Sequence, residues 1–215
     1  PFHLFTEPET AKKLLRYRYL HLQQAQEKAF ENGFEGALFP WESAFSGKEE
    51  TPEFAAINIR TGTRQKVASA ISEHHIVADI AFAVVQYFQN TLDEEFMKNE
   101  GLALLKETAQ FWISRTVEEG NKLSIKDVIG PDEYTEHIDN NAYTNYMAYY
   151  NVEQALYFMD QFEDGDEQLV SQGMDFLKRL YLPVPNEDKI IPQDDTFLSK
   201  PEIDLTPYKQ TQGSQ

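Results

Sequence analysis

The chain has 215 residues, 41% of them hydrophobic and 13% aromatic. That is enough to build a core without disulfides or a structural metal, and too apolar for an acidic disordered segment. Its 36 Asp and Glu against 19 Lys and Arg leave a net charge of -17, which repels phosphate backbones and argues against nucleic acid or an anionic membrane as partner. The absence of cysteine removes disulfide scaffolds, thiolate zinc sites and cysteine nucleophiles, and fits a reducing, cytoplasmic setting. No apolar run approaches the roughly 20 residues of a membrane span and no signal peptide is visible. The opening at Pro1 rather than Met is what a fragment or a processed chain would show.

In chain order, the spacing of Leu14, Leu15, Arg18, Leu22, Ala25 and Ala29 predicts one helix from Pro8 to about Asn32, with Thr6 as candidate N-cap and Gly33 as the stop. A loop from Gly33 through Pro52 carries Phe39-Pro-Trp-Glu-Ser43. Residues 54 to 59, followed by Thr61-Gly-Thr63, read as a strand and turn, a small hairpin between helices. A long helix is expected from about Ile71 to Asn90, with Ile76, Ile80, Ala83, Val84 and Tyr87 on one face. Asp93 should cap the next, which runs to about Glu118 and turns Phe96, Leu102, Leu105, Ala109, Trp112 and Ile113 inward before ending at Gly120. Ile125 to Val128 reads as a short strand, and Gly130-Pro131 breaks the chain. Helices are expected over Asn141 to Phe162 and Asp166 to Leu180, then a proline-rich tail, 182–215, that packs over another surface because long structureless segments are uncommon inside a domain. Long helices with few strands predict an all-α architecture of paired helices, either an irregular bundle or a toroid of helical hairpins.

The densest polar cluster runs from Val128 to Asn145 and holds Asp132, Glu133, Glu136, His137 and Asp139, then Asn140, Asn141, Tyr143, Thr144 and Asn145. A rigid loop before a helix start is a place where binding groups are presented. A carboxyl with raised pKa is what protonating a glycosidic oxygen near neutral pH requires, and amides and hydroxyls suit a polyhydroxylated ligand. By composition alone the plainer reading leads: an acidic loop capping a helix through Asp139 or Asn140. Trp41 could stack on a sugar ring and Glu42 accept from its hydroxyls, but a core-plugging Trp is equally compatible with the sequence. His75 and Asp79 lie four apart on one helical face beside Glu73 and His74. No metal signature accompanies them, so an exposed or core-edge histidine pair is expected and no metal is assigned. There is no Gly-rich phosphate loop and no Gly-x-Ser-x-Gly elbow.

The run Ile129-Gly-Pro-Asp-Glu-Tyr-Thr-Glu-His-Ile-Asp-Asn-Asn-Ala-Tyr-Thr-Asn145 resembles the inverting disaccharide phosphorylases of glycoside hydrolase family 65, a group that includes maltose, kojibiose, nigerose and trehalose phosphorylases. Leu14-Leu-Arg-Tyr-Arg-Tyr19, Gly36-Ala-Leu-Phe-Pro-Trp-Glu-Ser43, His75-Ile-Val-Ala-Asp-Ile80 and Ile191-Pro-Gln-Asp-Asp-Thr-Phe197 resemble it in the same order, so the likeness covers nearly the whole chain. The resemblance implies an internal portion of an (α/α)6 barrel catalytic domain with a short β-hairpin insertion. It implies cleavage of a maltose-like α-glucosyl disaccharide by inorganic phosphate, with inversion, to β-glucose 1-phosphate and a free sugar. Phosphate is then a co-substrate and no cofactor is needed. Carried over by motif, Glu133 is the general acid, Glu136 is its rival three residues on, and Trp41 and Glu42 line the sugar site. An inverting hydrolase on the same barrel and a non-catalytic sugar-binding module are the alternatives. The resemblance also makes a homodimer a candidate assembly. The family's Phe-Trp-Asp-Thr-Glu segment, its Lys-Gln pair and its phosphate loop are not found here. Lys209-Gln210 is not equated with that pair, and the chain by itself is expected to be inactive.

Overall fold

The computed structural model describes residues 2–57, 62–202, 204 and 206. Its elements are α1 (Phe2–Thr6), α2 (Pro8–Leu20), α3 (Leu22–Glu31), β1 (Phe54–Ile57), β2 (Arg64–Lys66), α4 (Ser69–Ser72), α5 (Ile76–Thr91), α6 (Glu94–Phe96), α7 (Leu102–Arg115), β3 (Val117–Glu119), β4 (Lys122–Ser124), α8 (Ala142–Gln161) and α9 (Glu167–Arg179). A π turn, Met97–Gly101, joins α6 to α7 without a break, and a 3-10 turn occupies Phe197–Ser199.

The architecture is mostly helical, as the apolar spacings imply. Helix α8 packs against α5, α7 and α9, while α2 lies on α5. Trp112, Phe111, Leu104, Leu105, Tyr87, Phe96 and Phe39 are almost wholly buried between them. One polar node sits at the edge of this core. The Asp93 carboxylate caps α6 by accepting from the Phe96 N–H at 2.9 Å, and also accepts from Lys12 Nζ at 2.7 Å and the Tyr87 hydroxyl at 2.9 Å. It thereby ties α2 and α5 to the start of the α6–α7 helix.

Several expected boundaries shift. The predicted first helix is two, broken at His21, and Thr6 ends a short helix of its own; Glu7 precedes Pro8 at the start of α2 without a side-chain cap. The long helix begins at Ile76 instead of Ile71, because the chain turns sharply after Ser72; on its face Ala83 is exposed while Ile80, Val84 and Tyr87 are buried. Helix α7 stops at Arg115, and Val117–Glu119 folds back on Lys122–Ser124 as an antiparallel hairpin around Gly120. That hairpin replaces both the expected last helical turn and the strand at Ile125–Val128. Only Val128 of that stretch pairs, with Ile138 across the loop. The expected hairpin after Pro52 is present, β1 pairing antiparallel with β2, although Asn58 to Thr61 at its turn and Lys209-Gln210 in the tail lie outside the described residues.

The segment after α9 carries the 3-10 turn and, at Gln193, runs across the start of α8. Its Gln193 carbonyl accepts from the Ala142 N–H at 2.8 Å and from Asn141 Nδ2 at 3.1 Å, so the tail does cover another surface.

Candidate active site

Two loops, held by different elements, face each other across an open cleft of about 760 Å³ lined by Trp41, Glu42, Thr51, Glu133, Glu136 and His137 among others. The first leaves α3 and must pass close to α7. A Cβ on Gly36 would sit 2.3 Å from the Glu107 carbonyl oxygen and 2.4 Å from the Phe111 nitrogen, and its φ is +69°, so only glycine fits. Phe39 and Pro40 are then buried, Trp41 is half-buried and Glu42 is exposed, so the chain emerges from the core at Trp41. Glu49 holds that exit: its carboxylate accepts from the backbone N–H groups of Trp41 at 3.1 Å, Glu42 at 3.3 Å and Thr51 at 3.2 Å, and from Lys28 Nζ. Partial burial would raise its pKa, but the Lys28 ammonium and the Thr51 donors outweigh this and hold it below the usual carboxylate range.

The second loop, between Val128 and Ile138, is closed at its base by backbone hydrogen bonds of 2.9 and 3.0 Å between those two residues. Asp127, His137 and Asn140 around it adopt left-handed backbone with φ of +54°, +58° and +51°, and clusters of strained residues accompany functional loops. The buried Arg115 reaches under the loop, its Nη2 donating to the carbonyl oxygens of Lys126 and Asp127, the latter at 3.3 Å. On the far side a Cβ on Gly130 would meet the Asn141 amide at 2.4 Å.

The plainer reading of the polar cluster is corrected in one respect. Neither Asp139 nor Asn140 caps α8; Asn141 does, its Oδ1 accepting from the Thr144 N–H at 3.0 Å. Asn140, Asn141 and Asn145 are buried and their amides are engaged within the scaffold: Asn140 with Ile125 and Asp195, Asn145 with the Tyr181 carbonyl. They pin the loop and do not face the cleft. Asp132 is likewise engaged, accepting from Gln193 Nε2 at 3.0 Å and the Tyr134 N–H at 3.1 Å, donors that hold its pKa down and keep it ionised. By contrast the carboxyl groups of Glu42, Glu133 and Glu136 have no hydrogen bond or ion pair among the described residues. Three untethered carboxyls thus line a cleft that also holds the rings of Trp41 and Tyr134, an arrangement suited to hydroxyl-rich ligands and to proton transfer.

The histidine pair does not match the exposed or core-edge expectation. His74 is 4% and His75 7% exposed. His74 accepts at Nδ1 from Arg115 Nε at 3.1 Å, and burial, then the charges of Arg115 and Lys28, push its pKa down to about 3. His75 Nδ1 lies 2.8 Å from Asp79 Oδ2 and its Nε2 3.5 Å from Glu73. Burial disfavours the His75 charge, yet the two carboxylates outweigh it and raise the pKa to about 9. Among the described residues no group of three or more His, Asp or Glu is placed to hold a metal ion.

The whole chain, residues 1–215, matches the family model of the glycosyl hydrolase family 65 central catalytic domain. The chain belongs to glycoside hydrolase family 65. Among family 65 relatives, a kojibiose phosphorylase of Escherichia coli (strain K12) is 61% identical over 215 residues, which cover all of this chain and 28% of that protein. An alpha,alpha-trehalose phosphorylase of Thermoanaerobacter brockii is 39% identical over 221 residues, covering 94% of this chain and 27% of the relative. A kojibiose hydrolase of Flavobacterium johnsoniae is 46% identical over 157 residues, 72% of this chain and 21% of the relative. The chain therefore spans under a third of the length of these relatives. A solved human-microbiome protein assigned to the kojibiose phosphorylases superposes with a TM-score of 0.80 at 24% identity, covering 99% of this chain and 32% of that one, a likeness of fold alone.

Glu49, Gln193 and Arg115, which set the two loops, carried no sequence signal for that role: Glu49 and Arg115 belong to no motif, and nothing in the run 191–197 says that Gln193 meets Asp132 61 positions away. His75 and Asp79 did carry a signal, their spacing of four, but without a metal signature it reads as an exposed or core-edge histidine pair.

Proposed function

We propose that the full-length protein carrying this chain cleaves an α-glucosyl disaccharide by phosphorolysis, and that the helix pairs seen here are part of an (α/α)6 barrel. The observation that carries this reading is the cleft with Trp41 and Glu42 on one loop and the untethered carboxyls of Glu133 and Glu136 on the other. In the reaction the Glu133 carboxyl gives its proton to the bridging oxygen as the bond from that oxygen to the anomeric carbon breaks. A phosphate oxygen bonds to the same carbon from the opposite face, which converts the α-linkage to β-glucose 1-phosphate and frees the second sugar. Phosphate is already anionic, so no general base is required. Trp41 offers an apolar face for the sugar ring and Glu42 an acceptor for its hydroxyls. The motif favours Glu133 over Glu136, and Asp132 is set aside because its donors hold it ionised. The names of the relatives favour kojibiose over the maltose-like disaccharide expected from sequence.

Two measurements on the full-length protein test this. Sugar release should require phosphate and yield β-glucose 1-phosphate. Release undiminished without phosphate would instead establish hydrolysis, the second reading, which the kojibiose hydrolase relatives support. Glu133→Gln should lower kcat by about 10²- to 10⁴-fold, the usual range for a general acid, with Glu136→Gln far milder; the reverse order would transfer the role to Glu136.

A further inference from the structure

The His75 side chain contacts Trp41 on one loop of the site and Tyr143 at the start of α8, without lining the cleft. Its ring lies edge to face with Trp41, centroids 5.6 Å apart and planes at 75°, and with Tyr143, at 5.5 Å and 88°. Asp79 holds it from below: Oδ2 is 2.8 Å from His75 Nδ1, and Oδ1 accepts from the Tyr143 hydroxyl at 2.6 Å. On the other edge of the ring, His75 Nε2 faces Glu73 Oε1 at 3.5 Å. Glu73 is 2% exposed, and among the described residues neither of its carboxylate oxygens receives a hydrogen bond. A buried carboxylate so poorly satisfied is costly, and among the described residues its ion-pair partner is the imidazole. Tyr143 stands in the first turn of α8, two residues after the Asn141 cap that packs on Gly130 of the acid loop. A second tie runs alongside, the Ile129 N–H donating to the Ser72 carbonyl at 2.9 Å. The Trp41 backbone N–H donates to Glu49 at 3.1 Å, and its indole meets the His75 ring, which Asp79 holds at Nδ1 and Glu73 faces at Nε2.

We propose that His75, clamped between Glu73 and Asp79 and braced by Tyr143, is a positioning residue that holds the Trp41 indole in the orientation that binds the sugar. The inference rests on the reading of Trp41 as a sugar-binding face. The Asp79 hydrogen bond and the Glu73 charge fix the plane of the ring that the indole meets. Fixing a ring this way removes its freedom before substrate arrives, so the gain falls on binding.

The test is a double-mutant cycle in the full-length protein, with KM and kcat for the disaccharide read separately. Trp41→Phe should raise KM. His75→Gln should also raise KM, about tenfold, and change kcat by less than about threefold, as expected for a lost binding contact away from the reacting atoms. In the Trp41→Phe background the same His75 change should alter KM by less than about twofold, because contacting residues that act through one another are non-additive. Tyr143→Phe removes one hydroxyl and keeps the ring; it should raise KM by a few fold and lose that effect in the same background, so the cycle can be completed even if His75→Gln does not fold. Equal KM effects of His75→Gln and Tyr143→Phe with and without Trp41 would overturn the positioning role while leaving Trp41 as a binding residue. If Trp41→Phe itself leaves KM unchanged, the sugar-binding reading fails and this inference with it.

Discussion

At the scale of single residues, two adjacent histidines of similar burial titrate in opposite directions, and the cause lies in what each faces. His74 faces the Arg115 guanidinium and is neutral, with its pKa down at about 3; His75 faces two carboxylates and is charged, with its pKa up at about 9. The unfolded value for either is about 6.5. For His75 the folded pKa is the higher, so its contribution is complete below about pH 6.5 and is lost as pH rises toward 9. For His74 the folded pKa is the lower, so the unfolded chain gains the proton first and stability falls as pH drops from about 6.5 toward 3. Denaturation midpoints of the full-length protein should therefore decline on both sides of roughly pH 6.5. His75→Gln should flatten the alkaline decline by about 1–3 kcal/mol and His74→Gln the acid one. An alkaline limb identical in parent and His75→Gln would contradict the assigned partners. Glu49 is testable in the same way. Replacing it with Gln keeps the size but removes the charge facing Lys28, which should cost about 1–3 kcal/mol as a charged hydrogen-bonded pair is broken and raise KM through the loosened Trp41–Glu42 backbone.

At the scale of elements, the junction between the acid loop and α8 concentrates the most structure in the fewest residues. Asn141 caps the helix, receives the Thr144 hydroxyl at 3.0 Å, donates to the Gln193 carbonyl at 3.1 Å and leaves no room for a side chain on Gly130. Asn141→Ala should lower stability by about 1–3 kcal/mol, combining a lost cap with the lost side-chain hydrogen bond to the Gln193 carbonyl. Gly130→Ala should cost about 1–3 kcal/mol through overpacking, and because it shifts the loop that carries Glu133 it should depress kcat as well. A Gly130→Ala enzyme with parent stability and kcat would show that the close packing is not maintained in solution. The cap and the helix periodicity were legible in part: an Asx residue before the α8 pattern announced a start, but composition alone placed it at Asp139 or Asn140. Three Asx residues in succession look alike locally, and only the position of Gly130 and of the tail makes Asn141 the one aligned with the free N–H groups.

At the scale of the whole molecule, α1, α2 and α5 present an apolar groove of about 530 Å³ lined by Phe5, Leu14, Phe82 and Ala83 among others, with Leu14 64% and Phe82 43% exposed. An apolar patch of that kind is unusual on an isolated soluble chain. The 215-residue chain produced alone should therefore self-associate, seen as a concentration-dependent sedimentation coefficient. Monodisperse monomers at all concentrations would contradict this. No helix among the described residues is long and apolar enough to cross a membrane, so the groove is not part of a spanning helix.

Local pattern alone determined most of the helices and the hairpin after Pro52, which depend on spacing and turn chemistry that act between near neighbours. The family came from the resemblance carried by the Gly-Pro-Asp-Glu-Tyr run. What only the tertiary structure decided was which polar residues are free to act. Seventeen residues from Ile129 to Asn145 are crowded with carboxyls, amides and hydroxyls, and nothing in their order says that Asp132 is held by Gln193, that Asn140 and Asn145 are buried, or that Glu133 and Glu136 are left untethered beside Trp41. Those outcomes depend on residues far off in sequence, Gln193 being 61 positions from Asp132, and a buried polar group takes its role from the donor or charge that the fold brings to it.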